Sequence, residues 1–187
     1  VCRYQQYRAM TKIIERLRTG QTPTDRSGVI WHTQGSGKSL TMVFVIRKLR
    51  TCPDLKDFKV CLINDRRDLE DQLGQTAALT GEKVTYVNSS DALRQKLASD
   101  ASNLNMVMVH KFREAQTENL PDYLDSVLEI PRFETFGVVN RSERILLMID
   151  EAHRTQSGDL GDNLFEAFPN ATRLAFTGTP LIVVKDT

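Results

Sequence analysis

Hydrophobic positions along this chain form short apolar runs that alternate with segments of helical spacing. The first such segment, residues 4–20, has apolar side chains at helical intervals and ends in Gly20, which predicts a helix stop. Short apolar runs predict strands at SGVIWH, FKVCLIN, KVTYV, LNMVMVH, RILLMID and TRLAFTG. Helices are predicted among them at GKSLTMVFVIRKLR, DRRDLEDQLGQTAAL and SSDALRQKLAS. This order predicts an α/β fold, a mostly parallel sheet with helices on both faces.

The domain organisation follows from length and from the segments that break the pattern. A chain of 187 residues suits one domain with a sizeable core. Residues 112–143 hold two prolines and seven acidic residues, which predicts a surface excursion with one or two short helices. The chain starts without Met and without a charged-then-apolar leader, so we expect no secretory signal and a longer parent protein. No run of about 18 apolar residues occurs, so no membrane span is predicted.

Composition and charge indicate the redox environment of the chain and its possible binding partners. The cysteines are Cys2, Cys52 and Cys61, an odd number without a CxxC pair, which favours a reducing, cytoplasmic setting over disulfides or zinc. Cys61 lies in an apolar run and is expected to be buried. The net charge is only +1, but the first 50 residues carry ten Lys and Arg against two acids. Such a basic segment could face phosphates, although solvated helix faces are the more ordinary explanation.

The stretch WHTQGSGKSL, residues 31–40, joins a predicted strand to a predicted helix. A phosphate-binding loop needs this order of strand, glycine turn, lysine and then Ser or Thr at a helix start. Lys38 would neutralise β- and γ-phosphate oxygens, and Ser39 would place its hydroxyl on Mg²⁺. The general pattern has glycine where this chain has His32, so a glycine turn with an exposed lysine is the alternative. The predicted nucleotide-binding residues of this stretch are Thr33, Gln34, Gly35, Ser36, Gly37, Lys38 and Ser39.

A second predicted strand ends in two acidic residues, Asp150 and Glu151. A buried strand delivers them to the carboxyl edge of the sheet, where ligands bind in open α/β folds. Asp150 is predicted to hold Mg²⁺, and Glu151 to polarise an attacking water. A helix N-cap would explain one acid but not the pair together with the loop. The predicted catalytic residues are therefore Lys38, Asp150 and Glu151.

Three motifs in this order, TQGSGKS, DEAH and FTGTP, resemble motifs I, II and III of superfamily 2 helicases and translocases. The resemblance spans nearly the whole chain. It implies a single RecA-like P-loop NTPase domain over residues 1–187, with nucleic-acid-dependent hydrolysis of ATP and with Mg²⁺. It also implies that His153 and the segment Thr177, Gly178 and Thr179 connect the nucleotide state to the nucleic-acid track.

A narrower resemblance rests on RYQQYRA, NDRRDLEDQL, VHKFR and LLMIDEAHRTQSG. These segments are similar to the motor of type I restriction enzyme R subunits (HsdR). There an Arg-x-x-Gln element reads the adenine, which implies that role for Arg3 and Gln6; a glutamine amide can donate and accept at once. The match to motif Ia implies that Arg66 and Arg67 lie near the nucleic-acid backbone. A solvated helix start and ordinary surface charges are the respective alternatives.

The same resemblance implies that this chain is part of a longer subunit in a multisubunit complex. The parent would translocate double-stranded DNA and then cleave it, with modification and specificity subunits as partners. A second RecA-like lobe would supply an arginine finger, worth about 10³–10⁵ in turnover, so the isolated lobe is expected to be nearly inactive. The motor lobe of another superfamily 2 DNA or RNA helicase is the alternative. A non-enzymatic nucleotide switch is a further one, which Glu151 disfavours.

Overall fold

The computed structural model describes residues 2–33, 35–64, 74, 81, 83–108, 137–150 and 159–178. The predicted helix over 65–79 apart from residue 74, residues 112–136 of the acidic segment, and the segment VHKFR lie outside these ranges. The helices are α1 (Tyr4–Thr19), α2 (Pro23–Arg26), α3 (Lys38–Thr51), α4 (Ser90–Leu97) and α5 (Asp159–Ala167). The strands are β1 (Gly28–Trp31), β2 (Lys59–Asn64), β3 (Val84–Val87), β4 (Leu104–Met108), β5 (Ile145–Asp150) and β6 (Thr172–Thr177).

The six strands form one sheet in the order β1-β6-β5-β2-β4-β3. Every pairing is parallel, which confirms the predicted sheet. From β1 the chain crosses over two strand positions to β2, and β4, β5 and β6 then return towards β1. The last strand, β6, therefore lies between β1 and β5. This order brings the carboxyl ends of β1, β6 and β5 side by side.

Helices cover both faces of the sheet, as predicted. Alternate residues of a strand point to opposite faces, so each strand contributes to two cores. In β5, Leu146 and Met148 pack in the core that α1 and α3 complete. Leu147 and Ile149 pack in the core that α4 and α5 complete. Both β2 and β5 are buried along their whole length, which explains why their sequences are apolar runs without polar alternation.

The first helix ends at Gly20, as its sequence predicts. The reason for glycine at this position is close packing, because its backbone is not left-handed. Gly20 has φ −66° and its N–H donates to the carbonyl of Arg16. A Cβ atom at this position would lie 2.6 Å from Cγ of Arg26 and 3.0 Å from the carbonyl oxygen of Arg16. Glycine is therefore required here because the chain folds back tightly onto the end of α1.

Two helices were not predicted. The short α2 is capped by Thr22, whose Oγ1 accepts from the Asp25 N–H at 3.1 Å, while the Asp25 carboxylate accepts from the Thr22 N–H at 3.1 Å. Pro23 is its first residue, so the signal was present in the sequence TPTD. The signal for α5 was the spacing of Leu164 and Phe168, which are 1% and 0% exposed.

The amino edge of the sheet holds two buried polar side chains that bind the end of α4. Asn140 Nδ2 donates to the carbonyl oxygens of Leu97 and Ala98, at 3.2 and 3.1 Å. Lys59 Nζ donates to the carbonyl oxygen of Lys96 at 3.2 Å, and burial lowers the pKa of this ammonium group. An ammonium group and an amide at a helix C-terminus both match its exposed carbonyls and dipole. These contacts attach the end of α4 to the amino edge of the sheet.

None of the helices in the described ranges combines the length and apolarity that crossing a membrane requires. Cys61 is 0% exposed, which confirms its predicted burial.

Candidate nucleotide-binding site

The loop between β1 and α3 has the backbone of a phosphate cradle. Gly35 and Gly37 have φ angles of 76° and 87°, in the left-handed region that glycine tolerates. The N–H and Oγ of Ser36 both donate to the carbonyl oxygen of Thr33, at 3.1 and 2.6 Å, and close the turn. Because α3 begins at Lys38, the N–H groups of its first turn have no acceptor within the helix. Backbone donors and the positive end of a helix dipole are thus presented together.

Lys38 is buried, at 9% exposed, in the first turn of α3. The alternative interpretation of this stretch required a solvent-exposed lysine, which the burial contradicts. Burial, and next the positive charge of Lys38, lower the pKa of His32. The imidazole is therefore neutral near pH 7, and Lys38 supplies the positive charge there. Ser39 follows Lys38 and is half-buried.

Gln6 links α1 to the phosphate loop. Its side chain is 2% exposed, its Oε1 accepts from the Arg3 N–H at 3.0 Å, and its Nε2 donates to the Gly37 carbonyl at 3.3 Å. The N–H and Oγ1 of Thr41 donate to the same carbonyl, at 3.0 and 3.2 Å. The structure thus places the Arg3–Gln6 element against the loop. Its contact with adenine stays a prediction.

Asp150 lies at the same edge of the sheet as the loop. It is the last residue of β5, is 4% exposed, and is in register with Phe176 of β6, which is in register with Ile30 of β1. With strands about 4.8 Å apart, Asp150 and Ile30 are about 10 Å apart across the sheet. A phosphate chain that leaves the loop can therefore approach the carboxylate of Asp150.

Asn64 is a buried polar residue at the same edge of the sheet that the sequence pattern did not single out. It ends β2, is 1% exposed, and follows Ile63, which is in register with Ile149. Asn64 and Asp150 consequently occupy equivalent positions at the ends of neighbouring strands. The signal was a single polar residue that closes the apolar run FKVCLIN.

The end of β6 contacts the start of the phosphate loop. Thr177 is 3% exposed and its carbonyl oxygen accepts from the backbone N–H of His32 at 3.1 Å. The carbonyl oxygen of Gly178 accepts from Nε1 of Trp31 at 3.1 Å. Trp31, a second residue that the sequence analysis missed, thus joins the loop to the predicted coupling segment.

A groove of about 500 Å³ runs beside the loop, between α1 and β1. Tyr4 and Trp31 contribute aromatic rings to it, and Arg8 and Lys12 contribute cations. Part of the basic first quarter of the chain therefore faces a concave surface that begins at the phosphate loop.

The remaining predicted site residues lie outside the described residues and stay predictions. They are Gln34, Glu151, His153, Thr179, Arg66 and Arg67. Among the residues that the structure does describe, the phosphate loop, Asp150 and Thr177 meet at one edge of the sheet, with Gln6 against the loop.

A parallel sheet with a glycine loop before a helix, and a buried aspartate two strands away, defines a RecA-like P-loop NTPase domain. The family model described as SWI2/SNF2 ATPase matches residues 5–187. This chain belongs to that family.

Two relatives of similar sequence are endonuclease subunits of type I restriction enzymes. The chain is 31% identical over 207 residues to the type I restriction enzyme HindI endonuclease subunit of Haemophilus influenzae, covering 100% of this chain and 18% of that protein. It is 32% identical over 169 residues to the SauCOLORF180P endonuclease subunit of Staphylococcus aureus, covering 89% and 16%. The chain thus spans less than a fifth of the length of these relatives.

Two solved type ISP restriction-modification enzymes share the fold. A nuclease-deletion mutant of LlaGI, in complex with a DNA substrate mimic, superposes with a TM-score of 0.54 at 16% identity, covering 96% of this chain and 18% of that chain. LlaBIII bound to DNA gives a TM-score of 0.57 at 17% identity, covering 96% and 13%. At such identities the likeness establishes the RecA-like fold, as the sequence motifs predicted.

Proposed function

We propose that this chain is the ATP-binding motor lobe of a type I restriction R subunit, in which ATP hydrolysis drives translocation of double-stranded DNA before the parent cleaves it. The observation that carries the proposal is the buried Lys38 in a left-handed glycine loop, with Asp150 buried at the same sheet edge. Membership of the SWI2/SNF2 ATPase family supports ATP as the nucleotide. The names of the relatives support a restriction system.

In this proposal the phosphate loop binds the triphosphate. The residues from Thr33 to Ser39 surround it, with backbone N–H groups at the phosphate oxygens and Lys38 at the β- and γ-phosphates. Arg3 and Gln6 bind the adenine, supported by the contact of Gln6 with Gly37 and by that of Arg3 with Gln6. Oε1 and Nε2 of Gln6 each make one hydrogen bond within the protein. The adenine would bind to the second lone pair of Oε1 and the second hydrogen of Nε2.

The donors at this edge fit Mg²⁺. Mg²⁺ prefers oxygen ligands, keeps several waters, and takes one or two protein oxygens together with substrate phosphates. Asp150 and Ser39 offer a carboxylate and a hydroxyl, and would hold the ion. When bound, Mg²⁺ neutralises the charge that develops on the phosphates.

Hydrolysis and coupling are assigned to the acidic motif and to the end of β6. Glu151 orients and polarises the attacking water. His153, Thr177, Gly178 and Thr179 couple the nucleotide state to the DNA track. Contacts to the DNA backbone come from Arg66 and Arg67, to phosphates and not to base edges.

The proposed setting is that of a cytoplasmic restriction complex. Specificity and modification subunits select the DNA sequence, and the parent subunit carries the nuclease. The second motor lobe of the parent completes the ATP site, so full turnover is a property of the full-length subunit.

The first test is binding of Mg²⁺-ATP to this chain, measured by calorimetry, in wild type and Lys38→Ala. Lys48→Ala is the matched control, because it removes the same charge from an exposed position in the last turn of α3. We expect binding to be lost only in Lys38→Ala. Equal binding by Lys38→Ala and wild type would refute the phosphate-loop assignment.

The second test separates this proposal from a motor that acts on another polymer. The ATP turnover of the full-length subunit is measured with duplex DNA, single-stranded DNA and RNA. We expect duplex DNA to give the strongest stimulation. A preference for RNA or for single strands would favour another superfamily 2 helicase.

A further inference from the structure

Trp31 is the last residue of β1 and lies directly before the phosphate loop. Its side chain is 65% exposed, so only about a third of its surface is removed from water. Val29 lies two residues earlier on the same face of the strand and is also 65% exposed. Partial burial of this kind does not by itself require an indole, because another aromatic ring would pack in the same way.

The indole N–H makes a specific contact. Trp31 Nε1 donates to the carbonyl oxygen of Gly178 at 3.1 Å. Next to it, the backbone N–H of His32 donates to the carbonyl oxygen of Thr177 at 3.1 Å. Two consecutive carbonyls at the end of β6 thus receive hydrogen bonds from two consecutive residues at the start of the phosphate loop.

The two hydrogen bonds make different demands on the sequence. The bond from His32 continues the parallel ladder of β1 and β6, and any residue with a backbone N–H can make it. The bond from Trp31 reaches one residue past the ladder and needs a side-chain donor, which the indole provides. The indole therefore holds the Gly178 carbonyl oxygen, one residue beyond the ladder, to the strand β1.

We propose that Trp31 is a positioning residue for coupling, because its indole N–H holds the Gly178 carbonyl to the strand that carries the phosphate loop. A shift of the loop on nucleotide binding or hydrolysis then moves Thr177 and Gly178, at the end of β6, with it. The inference rests on the proposed function, in which these residues connect the nucleotide state to the DNA track. Trp31 acts through Gly178 and is assigned no contact with ATP or DNA.

The test uses the full-length subunit with Trp31→Phe, which keeps an aromatic ring and removes the N–H donor. Val29→Ala is the matched control, because it changes an equally exposed side chain on the same face that has no donor. Three quantities are measured for each variant: the dissociation constant of a non-hydrolysable ATP analogue, ATP turnover without DNA, and ATP turnover with saturating duplex DNA.

For Trp31→Phe we expect turnover with DNA to fall about twofold to tenfold, the range that loss of one hydrogen bond produces. Analogue binding and DNA-free turnover should stay at the wild-type level, because the phosphate loop is intact. Val29→Ala should match wild type in all three. The ratio of DNA-stimulated to DNA-free turnover is the decisive readout, since general destabilisation would lower both.

Unchanged DNA-stimulated turnover in Trp31→Phe would overturn the inference, as would an equal loss in Val29→Ala. Weakened analogue binding in Trp31→Phe would also overturn it, because the indole would then support the loop itself. A wild-type subunit whose turnover does not respond to duplex DNA would instead overturn the proposed function, and the coupling role of Trp31 with it.

Discussion

The side-chain amide of Gln6 donates to the backbone carbonyl of Gly37 at 3.3 Å, joining the first helix to the phosphate loop across 31 positions of sequence. Gly37 has a left-handed backbone, and Gln6 packs against the position that a side chain would occupy. The conformation of the loop therefore depends on a helix that precedes it, as well as on its own glycines.

Alanine substitutions at the two loop glycines should have unequal effects. Both glycines have a positive φ, which costs an alanine about 1–2 kcal/mol. A Cβ on Gly37 would also lie 2.5 Å from Nε2 of Gln6, whereas none of the described atoms lies within 4 Å of a Cβ on Gly35. The amide end of Gln6 can move away only by giving up its hydrogen bond to the Gly37 carbonyl. We therefore expect Gly37→Ala to lower the free energy of unfolding by a further 0.5–1.5 kcal/mol or so, measured by urea denaturation.

The double variant Gln6→Ala with Gly37→Ala is the control for this prediction. Removing the amide relieves the collision, so the double variant should be more stable than the sum of the two single effects predicts. Strict additivity would mean that the backbone angle, and not Gln6, determines the cost at Gly37.

The amide of Asn140 should contribute more to stability than that of a surface asparagine. Asn140 is 9% exposed and its Nδ2 lies within hydrogen-bonding distance of three carbonyls at the end of α4 and of the Asp100 carboxylate. Asn140→Ala removes this shared donor, and its bond to the Leu97 carbonyl is buried, so the loss should cost about 1–3 kcal/mol.

Asn170→Ala is the comparison for Asn140→Ala. Asn170 is exposed and donates to a single carbonyl, that of Arg141, at 2.7 Å. Its replacement should cost about 0.5 kcal/mol, because water can satisfy the vacated acceptor. Equal midpoints of urea unfolding for the two variants would show that Asn140 does not stabilise the end of α4.

The three thiols should differ in reactivity. Cys2 is partly exposed, whereas Cys52 and Cys61 are 5% and 0% exposed. Burial raises the pKa of Cys61 from 9.0 to about 12, so its reactive thiolate is scarce. Ellman's reagent at pH 8 should therefore modify one thiol of the folded chain rapidly and all three after denaturation. Rapid modification of Cys61 in the folded chain would contradict the buried position of β2.

The raised pKa of Cys61 also predicts that the stability of the chain depends on pH. The folded state keeps the Cys61 proton between pH 9.0 and about 12, whereas the unfolded state releases it. Cys61 therefore contributes fully to the free energy of unfolding below pH 9.0, the pKa of its thiol in the unfolded chain. That contribution is lost as the pH rises towards about 12, the pKa in the folded chain. Unfolding of wild type and Cys61→Ala, compared at pH 8 and pH 10.5, should show the steeper loss in wild type.

Local sequence patterns were sufficient for the six strands and for α1, α3 and α4. Each element carries its own signal, such as the apolar run of β5 or the stop at Gly20, and the observed bounds differ from the predicted ones by one or two residues. The four-residue α2 and the helix α5 were missed. The first is too short for periodicity, and the second has a weak signal, the spacing of Leu164 and Phe168.

The sequence by itself determined the class of the fold and the residues of the phosphate loop, because a glycine turn between a strand and a helix is specified by neighbouring residues. Only the tertiary structure decided the strand order, since pairing joins segments far apart in the chain. That order inserts β6 between β1 and β5, and so places Asp150, Asn64 and the Trp31–Gly178 contact at one edge of the sheet. No periodicity encodes those contacts, because each depends on backbone positions that packing fixes.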